Sequence, residues 1–135
     1  MQVLFILYVN DQEKSTAFYS SVFGKSPELF VPGMTEFELR DGSQLGLMPT
    51  QGIRRLLGEK LPDPDLAQGI PRAELYLNVD DAASYHRRAL EAGAKELSRL
   101  LQRPWGDLAA YSLDPDGHVL AFAEKADRGK QSDRA

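Results

Sequence analysis

Glu74 is the side chain whose type and position most directly suggest chemistry. It lies in an otherwise apolar run, residues 73–77, whose pattern predicts a β-strand. A carboxylate in such a run has to be paired, protonated or exposed, because an unpaired buried charge is costly. Three interpretations follow: an ion pair with Arg72 or Arg103, contact with a ligand as its counter-ion or general base, or ligation of a metal.

The single tryptophan, Trp105, is the second candidate. It follows Pro104 in a loop before the last predicted hairpin, where an indole could stack on a flat or cationic ligand. Packing in a core or a dimer interface is the alternative. Arg54 and Arg55 could close over an anion, although adjacent basic residues more often form a solvated surface.

Metal chemistry has few possible donors in this chain. The absence of cysteine excludes disulfides, thiolate nucleophiles and cysteine-ligated zinc or iron–sulfur sites. We expect the two histidines, His86 and His118, to be surface or hydrogen-bonded structural residues. A metal would therefore depend on carboxylates, histidine or water.

Composition bounds the class of protein. The chain has 135 residues, 42% of them hydrophobic and 27% charged, as in an ordinary globular domain. Its net charge of -4 argues against nucleic acid as a partner. No apolar run is long enough to span a membrane and residues 1–9 do not resemble a signal peptide, so we expect a cytoplasmic protein without membrane contact.

The elements that must position these candidates follow a repeated order. In the first half a strand over 2–9 precedes Asp11, a helix N-cap residue, and a helix over 12–22 that ends at Gly24. Three strands follow, over 27–31, 35–39 and 44–48, and Asp41-Gly42 predicts the turn between the last two. The order is β-α-β-β-β.

The second half repeats this order at an offset of about 70 residues. It has a strand over 73–79, the cap Asp81, a helix over 82–92 and a closing hairpin of strands 108–113 and 118–123. The prediction is an α+β fold of two βαβββ modules in one domain, residues 1–124. The modules cover about 1–48 and 73–124, with a Pro- and Gly-rich connector over 49–72 and a disordered tail over 125–135.

Three motifs resemble the vicinal oxygen chelate superfamily of glyoxalases, bleomycin-resistance proteins and extradiol dioxygenases. They are Val9-Asn-Asp11 with the helix end at Val22-Phe23-Gly24, its repeat at Asn78-Val79-Asp80, and Ser112-Leu-Asp-Pro-Asp-Gly-His118-Val119. Each motif is weak alone, since Asp-Pro-Asp-Gly forms a good turn on any fold. Their order and duplicated spacing make the resemblance strong.

The resemblance implies that two cupped sheets enclose a small-molecule cavity, and that metal-bearing members place four ligands in it. The corresponding positions here are Leu4, Gly46, Glu74 and Ala121, of which only Glu74 can coordinate a metal. We therefore expect neither a divalent metal nor another cofactor. Period-two alternation adds further ligand-contacting candidates on the same faces, namely Tyr8, Met48, Tyr76 and Asn78, beside Glu74 and Trp105.

The sequence therefore predicts metal-independent binding of a small organic molecule by a homodimer. The alternative is a lyase, isomerase or dioxygenase that uses Glu74 as general base or weak metal ligand. A module for protein interaction is a third interpretation.

Overall fold

The computed structural model of the chain describes residues 1–126 and divides into two compact units. The first is Met1–Gln68 and the second begins at Gly69. Each contains one four-stranded mixed sheet with a helix after its first strand, so the predicted α+β fold of two βαβββ units is confirmed. The unit boundary lies inside the connector predicted over 49–72.

The first unit has strand order β1-β4-β3-β2. Its elements are β1 (Leu4–Val9), α1 (Gln12–Phe23), β2 (Leu29–Val31), β3 (Met34–Glu38) and β4 (Gln44–Pro49). β1 pairs in parallel with β4, and the other pairs are antiparallel. The predicted helix and strands are present, with ends shifted by one or two residues.

Two residues determine where α1 begins and ends. Asp11 accepts a hydrogen bond from the backbone N of Lys14 at 3.0 Å, which satisfies one of the free N–H groups of the first turn. Gly24 ends the helix in the left-handed conformation, at φ 69°. The helix then packs its aromatic side chains on the sheet, where Phe23 meets Phe37 edge-on at 5.4 Å.

The predicted connector is folded over much of its length. It contains α2 (Thr50–Leu57), followed by short 3-10 turns at Gly58–Lys60 and Pro64–Ala67. Ile53 of α2 is buried, and the Thr50 hydroxyl donates to the Val9 carbonyl at 3.2 Å. The sequence predicted only a Pro- and Gly-rich connector here. No helix within residues 1–126 is long and apolar enough to cross a membrane.

The second unit has strand order β5-β8-β7-β6. Its elements are β5 (Glu74–Asn78), α3 (Ala82–Glu91), β6 (Lys95–Gln102), β7 (Asp107–Leu113) and β8 (Val119–Lys125). The sequence pattern located all of these except β6. Asp81 caps α3 by accepting from the backbone N of Ser84 at 3.1 Å.

Residues 125 and 126, which the sequence assigned to a disordered tail, are ordered in the structure. Lys125 is the last residue of β8, and the backbone N of the buried Ala126 donates to the Gly106 carbonyl at 3.3 Å. The polar composition of this end concealed only the last two residues of β8, Glu124 and Lys125. The predicted disorder of 127–135 lies outside the described residues.

The closing hairpin of the second unit depends on Asp114 and Gly117. The Asp114 carboxylate accepts from the backbone N of Asp116 at 2.9 Å and of His118 at 2.8 Å. Gly117 has φ 89°, and a Cβ at this position would overlap the Gly69 carbonyl group. Only glycine therefore suits the position, because the backbone angle is unfavourable for other residues and because the backbone at Gly69 lies too close for a side chain.

Candidate functional site

The site residues of the second unit share one face of its sheet. Phe122 stacks on Tyr85 of α3, so the face with Phe122 is the helix side. The register pairs Tyr76, Ala121 and Tyr111 across β5, β8 and β7, one residue away from Phe122, and they point to the opposite side. We call this opposite side the distal face; by register it also holds Glu74, Asn78, Ala109, Ala123, Asp107 and Lys125.

The distal face combines buried and accessible side chains. Its three alanines are fully buried, whereas Tyr76 and Tyr111 are half-buried. Glu74 and Asn78 are exposed on β5, which is an edge strand. Trp105, in the loop before β7, is 56% exposed. A molecule approaching this face would meet aromatic rings, one amide and one carboxylate.

A chain of polar contacts links four residues at one end of the distal face. Trp105 Nε1 donates to the Tyr76 hydroxyl at 2.8 Å, and that hydroxyl donates to Asp107 Oδ2 at 2.5 Å. Lys125 Nζ lies 3.3 Å from Asp107 Oδ1 as an ion pair. We call Trp105, Tyr76, Asp107 and Lys125 the relay.

The contacts within the relay influence the protonation states of Asp107 and Tyr76. The hydrogen bond from Tyr76 is the main cause that holds the pKa of Asp107 below its ordinary value, with Lys125 adding to it against the opposing effect of burial. Burial, followed by the same hydrogen bond, raises the pKa of Tyr76. At neutral pH Asp107 is therefore ionised, and Tyr76 keeps its proton and directs it at Asp107.

Glu74 does not form the ion pair that the sequence suggested. Within residues 1–126 no ion pair joins it to Arg72 or Arg103. Arg103 instead donates to the Ser98 hydroxyl at 2.7 Å and to the Ala109 carbonyl at 2.8 Å. Its guanidinium thereby bridges β6 and β7 and is bound to backbone and hydroxyl oxygens rather than to a carboxylate.

Tyr111 connects Glu74 and Arg103 electrostatically. The Arg103 guanidinium lies over the Tyr111 ring, 5.0 Å from its centroid. Burial is the largest cause of a raised pKa for Tyr111, and the negative charge of Glu74 raises it further. The Glu74 carboxylate therefore acts on this face without being neutralised by a bonded cation within the described residues.

The remaining predicted residues lie in the first unit. By register, Tyr8 and Met48 are paired and share a face with Leu4, Ile6 and Gly46, opposite the face that packs on α1. Tyr8 is 38% exposed and Met48 is half-buried. The second unit thus gathers Glu74, Tyr76, Asn78 and Trp105, while Tyr8 and Met48 form part of the first unit's own sheet face.

The positions aligned with the family's metal ligands do not fit a metal. Leucine, glycine and alanine at 4, 46 and 121 have no side-chain lone pair. A Cβ at position 46 would also lie 3.1 Å from Ile6 Cγ1 and 3.3 Å from Leu4 Cδ1, so a donor side chain there would require these side chains to shift. No three His, Asp or Glu side chains within residues 1–126 come close enough together to hold a metal ion.

We therefore expect the purified protein to carry no stoichiometric divalent metal after dialysis against buffer without chelator. The physical reason is that one carboxylate, Glu74, cannot replace the three protein ligands of a typical zinc site. Elemental analysis of the protein measures this directly. About one zinc, nickel, manganese or iron per chain would contradict the alignment of these positions.

The histidines lie away from the distal face. His86 is buried on α3, and its Nε2 lies 2.8 Å from Glu96 Oε2 of β6. His118 belongs to the β7–β8 turn, where its backbone N donates to Asp114. For His86 the structure agrees with the expectation of a hydrogen-bonded structural residue.

The sequence candidates for ligand contact did not include three residues of the distal face, Asp107, Tyr111 and Lys125, or Arg103, whose guanidinium lies over the Tyr111 ring. Asp107 precedes an apolar strand and follows Gly106, so its local pattern resembles a loop. Alternation along β7 relates Asp107, Ala109 and Tyr111, and this period-two signal could have placed Asp107 and Tyr111 on one face. No local signal connects Asp107 to Tyr76, which is 31 residues away.

Comparisons with known proteins agree with this fold. The family model of the Glyoxalase/Bleomycin resistance protein/Dioxygenase superfamily matches residues 2–122, and the chain belongs to that superfamily. An uncharacterised protein of Mycobacterium bovis is 26% identical over 121 residues, covering 87% of this chain and 79% of the relative. An uncharacterised protein of Mycobacterium tuberculosis is also 26% identical over 121 residues, with 87% and 71% covered.

Two solved structures illustrate the structural likeness. A glyoxalase-related enzyme from Fulvimarina pelagi has a TM-score of 0.77 at 26% identity, covering 91% of this chain and 86% of its own. A glyoxalase/bleomycin resistance protein/dioxygenase family enzyme from Burkholderia phytofirmans has a TM-score of 0.73 at 20% identity, with 91% and 97% covered. The second likeness concerns the fold alone.

Proposed function

We propose that this superfamily member binds a small, flat organic molecule on the distal face of its second unit, without a metal. The observation that carries the proposal is Trp105, a residue that is 56% exposed and yet hydrogen-bonded through Nε1 to Tyr76. An exposed indole held in one orientation offers a large apolar surface that loses little conformational entropy when a ligand stacks on it.

The charges on this face favour a ligand with a cationic group. Lys125 is paired with Asp107, and Arg103 is bonded to Ser98 and to the Ala109 carbonyl. Glu74 is exposed and has no ion-pair partner within residues 1–126. A cation that binds beside Glu74 would therefore gain a charge-assisted hydrogen bond without breaking one inside the protein.

The relay favours binding over proton transfer as the function of this face. A general acid or base needs a proton that can reach the substrate and a pKa near the working pH. The Tyr76 hydroxyl proton is directed at Asp107. The pKa of Tyr76 is raised and the pKa of Asp107 is lowered, so both lie further from neutral pH than usual. Glu74 is then the carboxylate left for the alternative lyase, isomerase or dioxygenase chemistry.

Glu74→Gln tests the proposed role of the carboxylate. The change keeps the shape and hydrogen-bonding capacity of the side chain and removes its charge, so affinity for a cationic ligand should fall by about tenfold, or ~1.4 kcal/mol. The thermal midpoint should stay near the wild-type value because no ion pair is broken. A thermal-shift screen of small metabolites and cationic aromatic compounds supplies the ligand, and titration of each hit measures the affinity.

Asp80→Asn is the matched control for this experiment, since Asp80 is exposed in the same unit and lies just after β5. It should leave the affinity unchanged. A hit that binds wild type and Glu74→Gln equally well would remove Glu74 from the binding site and leave Trp105 and Tyr76 as its carriers.

We also propose that the protein is cytoplasmic and forms a homodimer. The first unit has large apolar side chains in solvent at Leu56, Leu57 and Leu66, which are 70%, 53% and 72% exposed. Burial of such apolar side chains against a second copy of the chain would be favourable. Light scattering should give about twice the 15.0 kDa chain mass at micromolar concentration; a mass equal to one chain would contradict the dimer.

A further inference from the structure

We infer that Asp107 is a positioning residue: its carboxylate orients the Tyr76 hydroxyl, which in turn fixes the exposed Trp105 indole. The importance of this position for ligand binding rests on the proposed function above. The positioning itself is a property of the free protein and can be measured without a ligand.

Trp105 needs such a fixing interaction because packing alone leaves most of it uncovered. The residue is 56% exposed and lies between Pro104 and Gly106 in the loop that joins β6 to β7. The backbone N of Gly106 donates to the Arg103 carbonyl at 3.0 Å, so hydrogen bonds of this kind hold the loop backbone but do not orient the indole. The hydrogen bond from Nε1 to the Tyr76 hydroxyl is the directional contact that defines the plane of the ring.

The Tyr76 hydroxyl can accept from Trp105 only while its own proton points elsewhere. A phenolic hydroxyl has one O–H donor, and its lone pairs accept from other groups. Asp107 Oδ2, at 2.5 Å, accepts the hydrogen bond from that O–H, which leaves the lone pairs turned towards the indole N–H at 2.8 Å. The acceptor on Asp107 thus decides which way the hydroxyl points.

Asp107 is itself well fixed. Its side chain is only 6% exposed, and its backbone carbonyl accepts from the Arg103 N–H at 2.7 Å. It pairs with Lys125 across the β7–β8 ladder. Because the Lys125 side chain is 86% exposed, water screens this ion pair, and we expect the hydrogen bond to Tyr76 to be the contact that matters.

The experiment uses the single tryptophan as a built-in probe of the full chain without ligand. Time-resolved fluorescence anisotropy and acrylamide quenching report the rotation and accessibility of the indole. Asp107→Ala removes the acceptor and should add a fast rotational component and increase quenching. Asp107→Asn keeps a neutral acceptor oxygen for the Tyr76 hydroxyl and should stay close to wild type.

Two further variants keep the test decisive. Tyr76→Phe removes the hydroxyl without touching the charge of Asp107, so it should loosen Trp105 as much as Asp107→Ala does, even if the latter fails to fold. Asp80→Ala is the matched carboxylate deletion and should leave the anisotropy unchanged. Circular dichroism establishes that each variant is folded; a purely structural role of Asp107 would lower the thermal midpoint without loosening the indole.

The inference is overturned if Trp105 stays rigid in folded Asp107→Ala or in Tyr76→Phe. It is also overturned if Asp107→Asn loosens the indole as much as Asp107→Ala, since charge and not the acceptor would then be responsible. With a ligand from the screen, Asp107→Ala should weaken binding by about three- to tenfold, the cost of ordering one side chain. A loosened indole with unchanged affinity would support the positioning and would instead contradict stacking on Trp105.

Discussion

Replacing Trp105 with alanine is expected to weaken binding of a flat ligand by about 30-fold or more. An aromatic side chain that becomes buried against the ligand can contribute at least ~2 kcal/mol to binding. Folding should change little, since the indole is 56% exposed and its removal opens no core cavity. Isothermal titration with a ligand from the thermal-shift screen measures the affinity. Trp105→Phe should lie between alanine and wild type, because it keeps a ring but loses the hydrogen bond to Tyr76.

Phe30→Ala is the control for this prediction. Phe30 is 53% exposed in the first unit, so its truncation removes a comparably exposed aromatic ring that the proposed site does not use. Its affinity should equal that of wild type. If Trp105→Ala binds as tightly as wild type, the indole takes no part in recognition, and the single observation that carries the proposed function has another explanation.

Gly117→Ala is expected to destabilise the protein by about 2–4 kcal/mol, because the change combines a strained positive φ with a clash against backbone. The φ of 89° alone disfavours any residue with a Cβ, and the added Cβ would overlap the Gly69 carbonyl group. Relief would require the chain at Gly69 or the β7–β8 hairpin to move. Urea unfolding followed by circular dichroism gives the free energy of unfolding.

Gly93→Ala separates the two causes. Gly93 also has a positive φ, 111°, but a Cβ there would meet nothing within 4 Å. This variant should therefore lose only the conformational part, about 1–2 kcal/mol. Equal losses of unfolding free energy for the two variants would contradict a cost from the close approach to Gly69. They would show that the β7–β8 hairpin can shift to accommodate the added Cβ.

Local sequence signals predicted most of the fold because they correspond to local contacts. Asp11 and Asp81 both accept from the backbone of the first helical turn, and both glycine-containing turns close hairpins. β6 was missed because its pairing with β7 shifts register twice, between Glu96 and Ser98 and again between Ser98 and Leu101. Such irregularities interrupt the two-residue alternation by which a strand is recognised in a sequence.

The candidate site was only partly predictable because its central contacts join distant parts of the chain. Period two correctly placed Tyr76 and Asn78 on the face of Glu74. The relay, however, depends on Asp107 lying beside Tyr76 and Lys125, and neither partner is near it in sequence. Lys125 was assigned to the tail because its neighbours are polar, and strand pairing with β7, a tertiary contact, outweighed that composition.

Mapping of ligand contacts by two-dimensional 1H–15N NMR tests the central claim most directly. The single indole N–H gives one isolated resonance that identifies Trp105 directly, and backbone assignment identifies the amides of each unit. On titration with a ligand from the screen, this resonance and the amides of β5 should shift together and saturate at the affinity measured by calorimetry. Saturable shifts confined to the first unit, with the indole resonance unmoved, would contradict binding on the distal face.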